Sequence, residues 1–186
     1  PRDFQSSAKV ETTFAILHQR GGPTNRSEGR LVDPPLVQIV ARGDRLYAAV
    51  HLLTGSPTEV RDATKVLPLA SLGAIRGKWT DVMIRLDTSD GRELLEIYLN
   101  GSRKVAIEDL PGLGAEMAKL PVYMREAAIE NFISFHPKEY YFQYGIYRAF
   151  VSKHGGPMPT QIAYVDEVRM GRSIETVLMN EKTPVD

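Results

Sequence analysis

Apolar and polar residues alternate along most of this chain in short runs, broken by glycine, proline and aspartate. Residues 12–20 (TTFAILHQR) form an apolar, β-rich run, and the polar, Gly/Pro-rich stretch 21–35 reads as a loop. LVQIVA and RLYAAVHLL flank Arg42-Gly43-Asp44, and a Gly-Asp pair between two such runs predicts a hairpin turn. In GKWTDVMIRLDT, Val82, Ile84 and Leu86 alternate with Asp81, Met83, Arg85 and Asp87, the pattern of a half-buried strand. After a turn at 89–92, ELLEIYL runs into Asn100-Gly101, a strong type I′ hairpin signal, and then into RKVAI. Residues 110–138 break this rhythm, with short helices expected around 113–119 and 123–130. Strand patterning returns at 140–151. The chain closes with QIAYVDEVRMGRS, which puts Ile162, Tyr164, Asp166, Val168 and Met170 on one face of a final strand. Short strands at a spacing of roughly 8–12 residues predict an all-β fold, an antiparallel two-sheet sandwich or jelly roll.

Composition narrows this picture. A chain of 186 residues, 42% apolar, suits one domain with a single sizeable core. Its 23 basic and 23 acidic residues balance, which argues against a general coat for nucleic acid. No run approaches the roughly 18 apolar residues of a membrane-spanning helix. With no cysteine there is neither a disulfide nor a thiolate metal site. The opening PRDFQSSAKVETTF has no apolar signal-peptide core, and the chain is expected to begin inside its domain.

The stretch YYFQYGIYRAF (140–150) carries four of the eight tyrosines. Read as a strand, one face holds Phe142, Tyr144, Ile146, Arg148 and Phe150 and is assigned to the core. The other holds Tyr141, Gln143, Gly145, Tyr147 and Ala149. There, polar tips flank a glycine, and glycine in a strand marks close approach of something else. A plain core face with a glycine bulge is the competing reading.

YFQYGIYRA resembles the Tyr-Phe-Lys-x-Gly-x-Tyr signature of jelly-roll polysaccharide lyases, a group that includes alginate, glucuronan and heparin lyase I-like enzymes. Further segments resemble that group in order. They are PRDF, FAILHQ at its Gln-x-His strand, PPLVQIVARGDRLYAAV, GKWTDVMIRLDTSDGRELLEIYLNGSRKV and the closing IAYVDEVRMGRS. The resemblance covers nearly the whole chain. It implies a concanavalin A-like jelly roll lying over residues 1–186, with further N-terminal strands upstream of Pro1 and with an anionic, uronate-containing polysaccharide on the concave face of one sheet. It also implies a secreted or periplasmic protein and cleavage by β-elimination. A base takes the C5 proton, the C4–O4 bond breaks, and an acid protonates the leaving oxygen.

By match to the signature, Tyr147 is the catalytic tyrosine, as acid and also as a candidate base. A free phenol titrates near about 10 and needs cationic neighbours to act as a base at neutral pH. His18, at the Gln-x-His position, is the second catalytic candidate, as base or as carboxylate neutraliser. Gln143, Tyr141, His51 and Arg148 are the substrate-binding candidates, although alternation sets Arg148 on the face opposite Tyr147. Two departures stand out. Gln143 replaces the family lysine, and Ile16 replaces the family glutamine. Both favour the alternative of a non-catalytic carbohydrate-binding sandwich; a purely structural β-sandwich would instead bury Tyr147. Trp79 is expected as a core anchor at a strand start, and His136 and His154 beside loops. No cofactor is expected. Some relatives hold a structural Ca²⁺ away from the cleft, but Asp166 alone makes no such site.

Overall fold

The computed structural model describes residues 1–20, 24–25, 30–31, 35–56, 59–87, 94–108 and 139–178. The ten strands are β1 (Thr12–Arg20), β2 (Thr24–Asn25), β3 (Arg30–Leu31), β4 (Pro35–Arg42), β5 (Arg45–Ser56), β6 (Glu59–Ser71), β7 (Val82–Asp87), β8 (Leu94–Leu99), β9 (Ser102–Glu108) and β10 (Glu139–Arg148). A one-turn helix, α1 (Leu72–Ile75), follows β6, its start capped by the Ser71 hydroxyl. All strand pairs are antiparallel. They build a five-stranded sheet in the order β10-β1-β4-β5-β6, a three-stranded sheet β7-β8-β9 and a small β2-β3 ribbon. No helix among the described residues is long and apolar enough to cross a membrane.

The two larger sheets face each other across one core. β4 and β5 contribute Leu36, Val37, Ile39, Ala41, Leu46, Ala48 and Val50; β8 and β9 contribute Leu95, Ile97, Leu99 and Val105. Each fully buried leucine or isoleucine here contributes about 1.5–3 kcal/mol relative to exposure. Alternation does the sorting, because side chains at even spacing leave the same face of a strand. The chain is thus an all-β sandwich of antiparallel sheets, as its pattern predicts. The Arg42–Arg45 pair closes the Gly43-Asp44 hairpin, with Gly43 at φ 60°. Asn100 (φ 48°) and Gly101 (φ 73°) both take the left-handed conformation that a type I′ turn demands.

Three sequence expectations are corrected. The closing segment forms no strand. Glu167 sits at φ 51° in its middle, and the Asp166 carboxylate accepts the Glu167 N–H at 2.8 Å, so extension stops there. Ile162, Tyr164, Val168 and Met170 are all exposed. What ties this segment down is Gln161, whose Oε1 accepts from the buried Thr12 hydroxyl (3.0 Å) and whose amide donates to the Gln5 carbonyl (2.6 Å). Second, Trp79 is 68% exposed rather than a core anchor. Third, the side of β10 assigned to the core is only partly packed. Phe142 is half-buried, but Tyr144, Ile146 and Phe150 are exposed, because β10 is an edge strand that overhangs the core. β6 is an element the pattern did not reveal. It is an edge strand, and its Pro68 sits where an extra residue enters the ladder between Leu46 and Tyr47, a position that tolerates proline. The expected helices at 113–119 and 123–130, and His136, lie outside the described residues.

Candidate functional site

The face of the five-stranded sheet turned away from the core carries three rows of side chains, read directly from the strand register. The first is Tyr147, Thr13, Val40, Tyr47 and Pro68. The second is Gln143, Ile16, Gln38, Ala49 and Val66. The third pairs Tyr141, His18 and Pro35, and the β5–β6 ladder sets His51 opposite Thr64. Between the first two rows the ladder is irregular. The step Thr13 to Ala15 on β1 matches Tyr147 to Tyr144 on β10 and Val40 to Ile39 on β4. Successive strands thus absorb different numbers of residues, and Gly145 takes up the strain at φ 131°. Parity along β10 survives this irregularity, so Gln143, Gly145 and Tyr147 do share one face, as the alternation predicts.

This face opens into a cleft of about 690 Å³. Its lining takes Thr13, Ile16, His18, Gln38, Gln143, Gly145 and Tyr147 from this face, and also Phe14, Phe142, Tyr144 and Ile146 from β1 and β10. Tyr147 is 56% exposed, the opposite of a tyrosine used as core. His18 lies flat on Tyr141, ring centroids 4.7 Å apart and planes within 3°. Thr13 to His18 spans five residues of β1, roughly 13–16 Å even allowing for the bulge. Side chains stand nearly perpendicular to a sheet, so His18 and Tyr147 do not exchange a proton directly. They occupy different stations along the cleft.

The remaining candidates fall into place around these. His51 lies on the cleft face, its Nε2 3.0 Å from Gln38 Oε1 and its Nδ1 3.2 Å from the Thr64 hydroxyl. Arg148 pairs with Thr12 and leaves β10 on the side opposite Tyr147, outside the cleft lining. His154 is taken by the Ser7 hydroxyl at 2.9 Å, away from the cleft. Among the described residues, no group of three or more His, Cys, Asp or Glu side chains is arranged to hold a metal ion. The described lining contains no Lys, Arg, Asp or Glu; it combines amides, hydroxyls and one imidazole with apolar residues such as Phe14, Ile16, Pro35, Phe142 and Ile146.

Gln38 is the residue that sequence reasoning missed. It lies directly across the ladder from Ile16, the position where the resemblance led one to expect a glutamine. An amide is therefore present one strand over. The signal was visible in LVQIVA, where a lone glutamine interrupts an otherwise apolar strand between Val37 and Ile39, both buried.

Another tyrosine on this face, Tyr47, is chemically distinct. It is buried, and its hydroxyl donates to the Glu11 carboxylate, which also pairs with Arg42 at 3.1 Å. Burial first, and then the Glu11 bond and charge, push its phenol far above the ordinary range and keep it protonated. With Val40 and Ala49 it forms a small apolar floor separate from the main core. Comparison with family models, with curated proteins and with solved structures gives no match for this chain.

Proposed function

We propose that this chain is a jelly-roll polysaccharide lyase, secreted or periplasmic, that cleaves an anionic uronate-containing polymer by β-elimination in the cleft above the five-stranded sheet. The observation that carries this reading is the exposed Tyr147, sharing with Gln143 and Gly145 a cleft face turned away from the core. That is the side on which a catalytic tyrosine of the resembled signature has to stand. The separation of His18 from Tyr147 favours a route in which Tyr147 serves both proton steps. Entering as the phenolate, for which the described lining supplies no cationic neighbour, it takes the C5 proton, the C5–H electrons form the C4–C5 double bond, the C4–O4 bond breaks, and the phenol so formed gives that proton to O4 and becomes phenolate again. The His18–Tyr141 pair assists as a flat platform for a neighbouring sugar. Gln143 offers both a donor and an acceptor to hydroxyls.

The test is incubation of the protein with a panel of uronate polymers while following the ultraviolet absorbance of the new C4–C5 double bond. Growth of that absorbance on at least one polymer is expected. A folded protein that produces none on any of them overturns the enzyme reading. A second reading, a non-catalytic glycan-binding module, is favoured by the lack of any cation in the described lining and by Ile16 and Gln143 at family polar positions. It expects retention of the polymer with no product.

A further inference from the structure

An eliminating enzyme has to hold the sugar carboxylate with donors, since withdrawing its charge makes the C5 proton acidic. The described lining offers no fixed cation for this, so the donor has to be neutral and aimed. One side chain on the face is aimed in this way. Gln38 lines the cleft in the middle of the second row, and its carbonyl Oε1 accepts from His51 Nε2–H at 3.0 Å. With that ring nitrogen carrying the proton, Nδ1 is the acceptor, and the Thr64 hydroxyl donates to it at 3.2 Å. The chain Thr64 to His51 to Gln38 runs in one direction. With Oε1 turned to the ring, the –NH2, with its two donors, is the end left to a ligand. Gln143 stands in the same row two strands away, about 9.5 Å across the sheet. The two amides therefore bracket Ile16, whose apolar side chain forms the floor between them.

We propose that the Gln38 amide is the carboxylate-binding donor of this cleft and that His51, itself anchored by Thr64, is its positioning residue. This rests on the reading of the cleft as a uronate-polymer site. It assigns to β4 a role that the resemblance would place on β1 at residue 16. It also gives His51 a place behind the ligand rather than against it. An amide locked by a second hydrogen bond loses little rotational freedom on binding, so a neutral donor can serve where a flexible cation is absent.

The experiment measures binding of a polyuronate and of the same polymer with its carboxylates reduced to alcohols, using Tyr147→Phe as the background so that cleavage does not interfere. The background protein is expected to prefer the carboxylated polymer. Gln38→Leu should weaken binding of that polymer roughly tenfold or more and leave the reduced polymer unchanged. Gln38→Glu, nearly the same shape, should abolish binding of the carboxylated polymer alone, because it sets two negative charges together. His51→Leu should lower the ratio between the two polymers, a readout that a merely structural role would not move. Circular dichroism and thermal unfolding establish that each variant is folded. Full preference for the carboxylate in folded Gln38 variants overturns this proposal by itself, as does equal loss on both polymers. Equal binding of both polymers by the background protein overturns it while leaving a glycan site intact. Binding of neither polymer removes the reading of the cleft on which it rests.

Discussion

Two tyrosines on the same sheet face illustrate how the environment, more than the residue type, decides a side chain's chemistry. Tyr47 is sealed and bonded to a carboxylate, so its proton stays in place; Tyr147 stands in the open cleft. On the far sheet, Glu96 makes the same point about charge. Alternation in ELLEIYL turns Leu95, Ile97 and Leu99 inward and Glu96 outward, so a sequence reader expects solvent around it. It is instead almost fully covered, held by Arg103 at 2.7 Å, by Arg85 at 2.9 Å and by the Tyr98 hydroxyl at 3.0 Å. These bonds, Arg103 foremost, hold its carboxyl below the usual range against the opposing effect of burial. Both arginines are about half exposed, at 44% and 53%, so the pair is worth less than a dry one. Glu96→Gln should cost roughly 1–3 kcal/mol at neutral pH. A depressed folded value means the stabilisation is present above the unfolded value and is lost as pH falls through the folded one. Urea unfolding of both proteins should therefore show stabilities that converge in acid; a gap independent of pH contradicts the role of the charge.

Element by element, what the sequence revealed depended on whether a strand's neighbours were also visible in it. β4, β5 and β7 to β9 were legible from alternation and turn chemistry because both their faces and their turns obey local rules. β6 was not, since a proline and several charges disguise an edge strand, even though it pairs with β5 directly before it in the chain. The closing segment failed in the opposite sense. Its period of two is genuine, but an αL residue at Glu167 and an Asp166 side-chain bond consume the extension that pairing needs. The bulge at β10 lies between these cases: YFQYGIY marks its glycine, yet only the register shows that three strands absorb the irregularity unequally. Gly145 tests this. A methyl group added there meets no atom within 4 Å, so the cost of Gly145→Ala comes from its φ of 131° alone. It should lower stability by about 1–3 kcal/mol, read as a shifted denaturation midpoint at constant slope. An unchanged midpoint would mean that the bulge is not strained.

At the scale of the whole molecule, the sandwich divides its labour between two sides of one sheet. The side facing β8 and β9 supplies the core; the other carries two glutamines, two histidines and three tyrosines in positions set by register. Which residues share that side was largely legible, because parity along β10 places Gln143 with Tyr147. That Gln38 joins them was not, since it requires knowing that β4 neighbours β1 with Ile16 opposite Gln38. Distance along the cleft was equally hidden: His18 and Tyr147 share a face but stand several residues apart along β1. The division also explains why exposed Tyr147 need not stabilise the fold, so its removal separates chemistry from folding. The most direct measurement is the initial rate of double-bond absorbance on a polyuronate for the wild-type protein and for Tyr147→Phe, with unfolding temperature measured alongside. A loss of at least about 100-fold in rate, with the unfolding temperature preserved, is expected if this phenol moves the protons. A variant that turns over the polymer at nearly the wild-type rate would contradict the assignment of Tyr147 and, with it, the cleft mechanism.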